Sequence, residues 1–310
     1  MGMLVARRYP TRLFANLPDH TYVECGTGGK AWGCWGGKTG GSAFRQGAGS
    51  TRRADAIARP NERAGITCYL INGVCHQAAN RILLPAGITV RGARGYDVSE
   101  ALFGTYGRPR GPFGTCRAPF DQHASVAGDL AACAEAGPQA QAKPRARAGA
   151  KARARASRAA RRAPTISAEE RSAERKYLRG VLALYGRAAP RLKSARGLAG
   201  PDLERFQLEL FLYKARYSLR GGLDRALARR LEDIRLSAER SRMKVEEWFA
   251  HRELKAAAFV AAFNKETILF QEAAAGALKA DQYRALFGLK PGETVILADP
   301  RIVRRAYRAR

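Results

Sequence analysis

Hydrophobic and polar positions divide the chain into two textures. Up to about residue 115, apolar residues come in short runs rich in β-branched and aromatic side chains and broken by glycine, the pattern of strands and turns. Thr21-Tyr22-Val23-Glu24-Cys25 and Lys30-Ala31-Trp32-Gly33-Cys34-Trp35 flank a glycine-rich turn at 26–29 and predict a β-hairpin. Residues 36–49 have little to bury and predict a mobile loop. Ile66-Thr67-Cys68-Tyr69-Leu70-Ile71 predicts another strand, broken by Asn72-Gly73. From Cys75 the period changes. Ala78, Ala79, Ile82 and Leu83 recur at helical spacing, and Pro85 and Gly87 stop the helix.

From about residue 166 the helical period dominates. Ser167-Ala168-Glu169-Glu170 is a capping-box signature. It opens a helix with Tyr177, Leu178, Val181, Leu182, Leu184 and Tyr185 on its apolar side. Pro201-Asp202 opens a second, with Phe206, Leu210 and Tyr213, and Gly221-Gly222 ends it. A third runs from Leu223 past Trp248 and on towards Phe270, and a fourth holds Tyr283, Leu286 and Phe287. Thr294-Val295-Ile296-Leu297 predicts a short strand. The fold expected is α+β: a small antiparallel sheet packed on a helix that bears Cys75, then a linker, then an α-helical domain. The boundaries are 1–115, 116–165 and 166–310. Aromatic residues of the helical region are read as core.

Composition adds charge to this picture. The 310 residues are 46% hydrophobic, enough to build cores, and carry a net charge of +28. That excess favours polyanions without naming one. It is densest at 143–162, where alanine alternates with Lys143, Arg145, Arg147, Lys151, Arg153, Arg155, Arg158, Arg161 and Arg162 and no acidic residue intervenes. Like charges repel and alanine builds no core, so the segment reads as a solvated, disordered tether. The same residues could serve as a non-specific arm for nucleic acid or another polyanion, becoming helical on binding. No stretch has the apolar length of a membrane span, and no apolar run follows Arg7 and Arg8 as in a secretion signal. The six cysteines form no CxxC pair, which argues against a zinc ribbon. The expectation is a cytoplasmic protein with free thiols and neither metal nor cofactor, the even cysteine count leaving room for disulfides if the protein is exported. Glycine-rich runs such as 26–30 lack the phosphate-loop spacing.

Cys75 is the chief candidate for chemistry. A thiol at the first position of a helix faces unpaired N–H groups, which lower its pKa and can hold an oxyanion. Four histidines could act as its base: His20, His76, His123 and His251. His76 is adjacent on the helix and diverges from Cys75 by about 100°. His251 lies in the helical region. His20 begins a strand that could hold an imidazole beside the helix start, and His123 could reach back from the linker. Gln77 could add an oxyanion donor or tie the helix to a strand, and Asn72 could cap the helix or orient the site. Trp32 and Trp35 could line a substrate groove or pack in the core. Arg91, Arg94 and Tyr96 could meet an acidic substrate or form a surface loop. Glu246, Glu247, His251 and Glu253 do not make a metal site, because no second histidine supports one.

Two segments carry a resemblance: Asp19-His20-Thr21-Tyr22-Val23-Glu24 and Asn72-Gly73-Val74-Cys75-His76-Gln77-Ala78-Ala79-Asn80. A histidine opening a strand, followed some fifty residues later by a cysteine opening an apolar helix, resembles the permuted papain-like cysteine hydrolases. These are the lecithin-retinol-acyltransferase-like and PPPDE-like branch of the NlpC/P60 superfamily. The resemblance covers roughly residues 15–110. It implies a papain-like fold and a hydrolase or acyltransferase acting on amide, thioester or ester carbonyls of a peptide, protein or acylated substrate. It implies Cys75 as nucleophile and His20 as base. A third polar group is also implied, but 30–35 offers none of the usual types; Glu24, Asp19 or a backbone carbonyl is left for that role. The unpermuted order would pair Cys75 with His123 instead.

Overall fold

The computed structural model describes residues 2–10, 16–25, 30–33, 36–59, 64–66, 68–108, 166–194 and 201–307. These form a mixed α+β structure around a four-stranded antiparallel sheet of order β3-β2-β1-β4. The strands are β1 (Gly2–Pro10), β2 (Asp19–Cys25), β3 (Ala31–Gly33) and β4 (Ser42–Gly49). The hairpin expected from the sequence is the β2–β3 pair, with Val23 opposite Trp32. Cys34 and Trp35 lie outside the described residues, as do the 116–165 linker and its basic arm.

Two local expectations are overturned. The later half of 36–49 is a strand, not a loop. Its apolar signal is weak because its buried face is glycine: a Cβ on Gly47 would stand 3.1 Å from Ala86 Cβ, and one on Gly49 2.9 Å from the backbone at Pro85 and Ala86. Glycine lets the turn at Leu84–Ala86 lie against the sheet. Conversely, the apolar run 66–71 is not a strand but a buried loop. Among its described residues, the polar backbone is satisfied by turns and side chains instead of a ladder: the Ile71 and Asn72 amides donate to Cys68 O and the Leu70 amide to Gly73 O. Asn72 Oδ1 accepts from the Cys68 amide at 3.1 Å and Asn72 Nδ2 donates to Gly65 O at 3.1 Å. Arg81, itself buried, donates to Ala64 O and Tyr106 O.

Helices α1 (Thr51–Ala58), α2 (Cys75–Leu83) and α3 (Tyr96–Phe103) complete the N-terminal part. Helix α2 packs on β2 and β3. Then follow α4 (Ala168–Ser194), α5 (Pro201–Leu219), α6 (Arg225–Ala250), α7 (Ala256–Ala277), α8 (Ala280–Phe287) and α9 (Pro300–Ala306). The third helix expected from the sequence does not run through to Phe270. It reverses at 251–255, where Arg252 takes a left-handed φ of 63° and Trp248 O accepts from the Glu253 and Leu254 amides. The reversal stacks Phe249 on Phe259, 4.2 Å between centroids. Burial of that pair repays the break in a helix that no proline or glycine ends. The segment 294–297 is extended but is not a strand. Gln271 pairs both polar groups of Val295, and Asn264 those of Ala298, while Ile296 donates to Asn16 O.

Residues of both textures share one hydrophobic cluster, from Leu4 through Phe103 to Tyr307. Buried ion pairs join them as well. Glu100 on α3 accepts from Tyr96, Thr105, Tyr177 and Lys214, the last at 2.8 Å. Burial pushes the Glu100 carboxyl up, but the Lys214 and Arg91 charges outweigh it and hold the group at about 2. Lys214 also reaches Asp97 at 2.6 Å. Replacing Lys214 by methionine should cost about 3–5 kcal/mol, because Glu100 stays buried without its cation. The double variant Lys214→Met/Glu100→Gln should recover part of that loss, read as urea midpoints. A double variant no more stable than Lys214→Met alone would contradict this account.

Candidate functional site

Cys75 is the first residue of α2, whose N-cap is Val74. The helix opens there because Gly73, at φ 153°, turns the chain and Gln77 caps it. Gln77 Oε1 accepts from the Val74 amide at 3.1 Å. The Gln77 amide nitrogen donates to Gly104 O and approaches Ser99 Oγ, so this side chain ties α2 to α3 and its donors face away from the thiol. Asn72, fully engaged in the preceding loop, does not cap α2.

The Cys75 thiol is buried, 3% exposed, and donates weakly to Asp19 O at 3.8 Å. Burial pushes its pKa up to about 11; the Thr21 amide and hydroxyl and the Cys75 and His76 amides pull it down, but less. The lowered pKa expected of a helix-start thiol is therefore not met. Loss of water outweighs these neighbouring donors, and the resting group is an S–H.

Alternation along β2 sends Thr21, Val23 and Cys25 toward α2 and sends His20, Tyr22 and Glu24 to the other face. His20 is cross-strand partner to Tyr9, with ring centroids 4.8 Å apart. It is 3% exposed, and neither ring nitrogen has a well-formed hydrogen bond among the described residues. Burial lowers its pKa to about 4, outweighing a weak hydrogen bond with the Gly37 backbone. The structure thus puts the Cys75 thiol on the α2 side of β2 and the His20 ring on the opposite face, with no hydrogen bond between them. Glu24 pairs with Arg7 at 2.6 Å, further along the strand.

His76, set aside on sequence grounds, is central here. Its Nε2–H donates at 3.0 Å to Asp19 O, the carbonyl that also takes the Cys75 thiol, and its Nδ1 lies 2.8 Å from Ser99 Oγ. Burial holds it neutral, at about 3. Sequence reasoning also missed Tyr9 and Thr21. The Thr21 hydroxyl is buried, and Tyr9, half-buried, is raised to about 12 by burial and then by the nearby Cys75 sulfur. Only recognition of β1 as the neighbour of β2 could have found Tyr9.

The remaining candidates are placed as follows. Trp32 is half-buried against the core, its indole N–H buried and without a partner among the described residues. Tyr96 is fully buried, donating to Glu100 at 2.8 Å. Arg91 lies over Tyr177 and Tyr217, and Arg94 reaches Glu293 at 3.0 Å while its amide donates to Asp19 Oδ2. His123 lies outside the described residues. Cys25 and Cys75 are free thiols, whereas Cys68 is disulfide-bonded, against the expectation of thiols throughout. Among the described residues no group of His, Cys, Asp and Glu could hold a metal, and no helix is long and apolar enough to cross a membrane. No known family model, curated protein or solved structure matches the chain.

Proposed function

We propose that the chain is a cysteine hydrolase or acyltransferase of papain-like arrangement, acting on an amide, thioester or ester of a peptide, protein or acylated substrate. The observation that carries this reading is the Cys75 sulfur at the start of a helix, 3.8 Å from Asp19 O, with the neutral imidazole of His20 on the next residue of β2. The proposed oxyanion donors are the unpaired amides of the first turn of α2. His20 is the proposed base, on the reading that the end of β2 rearranges when substrate binds, because its ring lies on the face of the sheet away from α2. Its depressed pKa keeps it neutral and able to accept at physiological pH, and the pair stays in its uncharged form until substrate arrives. Deprotonated Cys75 attacks the carbonyl, the leaving group departs with the proton from His20, and water or an amine resolves the acyl-enzyme. The segments around His20 and Cys75 support membership of the permuted NlpC/P60 group; the Cys68 disulfide weighs against the cytoplasmic location expected from the sequence.

The test is acyl trapping. Incubation with a panel of p-nitrophenyl and thioester acyl donors should add one acyl mass at Cys75, and Cys75→Ala should lose the adduct. His20→Ala should slow acylation by about 10²–10⁴-fold. Absence of any adduct at Cys75 across the panel, in protein shown folded, sinks the reading.

The net charge of +28 favours a second, non-enzymatic reading: binding of nucleic acid or another polyanion through 143–162. Binding to a DNA duplex that weakens steeply with salt, and is lost on deleting those residues, would support it.

A further inference from the structure

The short connection before β4 lies over His20. A Cβ on Gly36 would stand 2.0 Å from the His20 Cε1, so only glycine lets this segment close on the ring. At its other end Gly41, at φ +71°, would place a Cβ 2.4 Å from Arg8 O. Between them run Gly37, Lys38, Thr39 and Gly40, most of them exposed. Side chains from the sheet below grip the segment's carbonyls. Tyr9 donates to Gly37 O at 3.3 Å, Tyr22 to Gly40 O, and Arg7 to Gly41 O at 3.2 Å.

We infer that residues 36–41 are a displaceable lid, latched by the Tyr9 and Tyr22 hydroxyls, that must open before any ligand reaches His20. Two features support it. The segment carries four glycines and forms no helix or strand of its own, and its carbonyls at Gly37, Gly40 and Gly41 are held by side chains from the sheet. Closure leaves both His20 nitrogens buried without a well-formed hydrogen bond, the Gly37 backbone offering only a weak one, which penalises the closed form. Opening restores water, or a ligand's polar group, to the ring. For the acyl transfer proposed above, the lid would set access to the base; the use made of the lid rests on that reading, but the lid itself does not.

The experiment measures carbethoxylation of histidine by diethylpyrocarbonate at pH 7, mapped by peptide mass on the full chain. In the unaltered protein, buried His20 and His76 should react far more slowly than exposed His251. In Tyr9→Phe/Tyr22→Phe, which keeps both rings and removes both latches, the His20 rate should rise about tenfold or more, given two lost hydrogen bonds. His76, buried between β2 and α3, should stay slow. Gly36→Ala, whose Cβ blocks closure, should bring His20 close to the His251 rate. An unchanged His20 rate in both variants overturns the lid. A parallel rise at His76 also overturns it, because exposure would then come from general unfolding. None of these readouts depends on Cys75 chemistry, so failure of acyl trapping and failure of the lid are separate results.

Discussion

Replacing Glu239 by glutamine is expected to cost about 3–5 kcal/mol of folding free energy. Glu239 stands on α6 with its carboxylate fully buried and accepts from three guanidiniums: Arg108, Arg235 at 2.8 Å and Arg242 at 2.6 Å. Glu246 supplies the second carboxylate, 2.8 Å from Arg108. Three cations thus share two anions. Burial and the Arg108 charge bring the Arg242 guanidinium down to about 10. Burial pushes Glu239 up, but the three guanidiniums outweigh it and hold it well below the usual carboxylate range. Glutamine would leave one carboxylate for three guanidiniums and turn an N–H donor toward other donors.

The cost would not stay within α6. Arg235 donates to Ala101 O and Leu102 O, and Arg242 to Leu102 O. These carbonyls belong to the last turn of α3, which has no intrahelical partner for them and presents the negative end of its dipole. Arg108 donates to Ile71 O, in the loop leading to Cys75. The cluster therefore fixes α6, the end of α3 and the approach to the candidate nucleophile together. Urea unfolding should show one cooperative transition at a lowered midpoint, with the exposed Glu247→Gln within about 0.5 kcal/mol of the unaltered protein. A loss below about 1 kcal/mol for Glu239→Gln would mean the cluster is not dry.

What was legible in the sequence follows from where the signal resides. The helix at Cys75 was readable because Ala78, Ala79, Ile82 and Leu83 repeat at its own period, and all are buried. The hairpin was readable because β-branched and aromatic residues mark its strands. Strand β4 was not, because a face built of Gly47 and Gly49 carries no hydrophobic pattern. The loop before Cys75 read as a strand because burial, not pairing, selected its apolar residues. The joining of the two textures into one core was hidden for another reason. Its joints are charged side chains, such as Lys214, Glu239 and Arg108, that a pattern of apolar positions assigns to the surface. The site suffered the same loss. His76 seemed excluded by its position beside Cys75, yet the two side chains diverge and still converge on one carbonyl, that of Asp19.

Acidification from pH 7 to pH 5 is expected to remove roughly 4 kcal/mol of stability through two histidines alone. His20 and His76 are held neutral in the fold, at about 4 and about 3, against an ordinary value of 6.5. Between those values the unfolded chain binds protons that the folded chain refuses. Stability therefore rises with pH through this window, is complete above about 6.5, and is lost as pH falls toward 4 and then 3. Each histidine contributes about 1.4 kcal/mol per pH unit inside its window. Glu100, held at about 2, loses its contribution only below its ordinary 4.5, whereas burial pushes the Glu246 carboxyl up, so its uptake of a proton in the fold offsets part of the histidine loss. The two histidine variants separate the imidazole share of the slope. Urea midpoints at pH 7, 6 and 5 give the slope. His76→Gln, whose amide can still donate to Asp19 O, should halve the slope, and His20→Gln should remove much of the rest. A flat profile from pH 7 to 5 would show that one or both rings are hydrated or paired at rest. If only the His20 share were missing, the segment over His20 would be open in the resting protein, and the imidazole proposed as base would already face water.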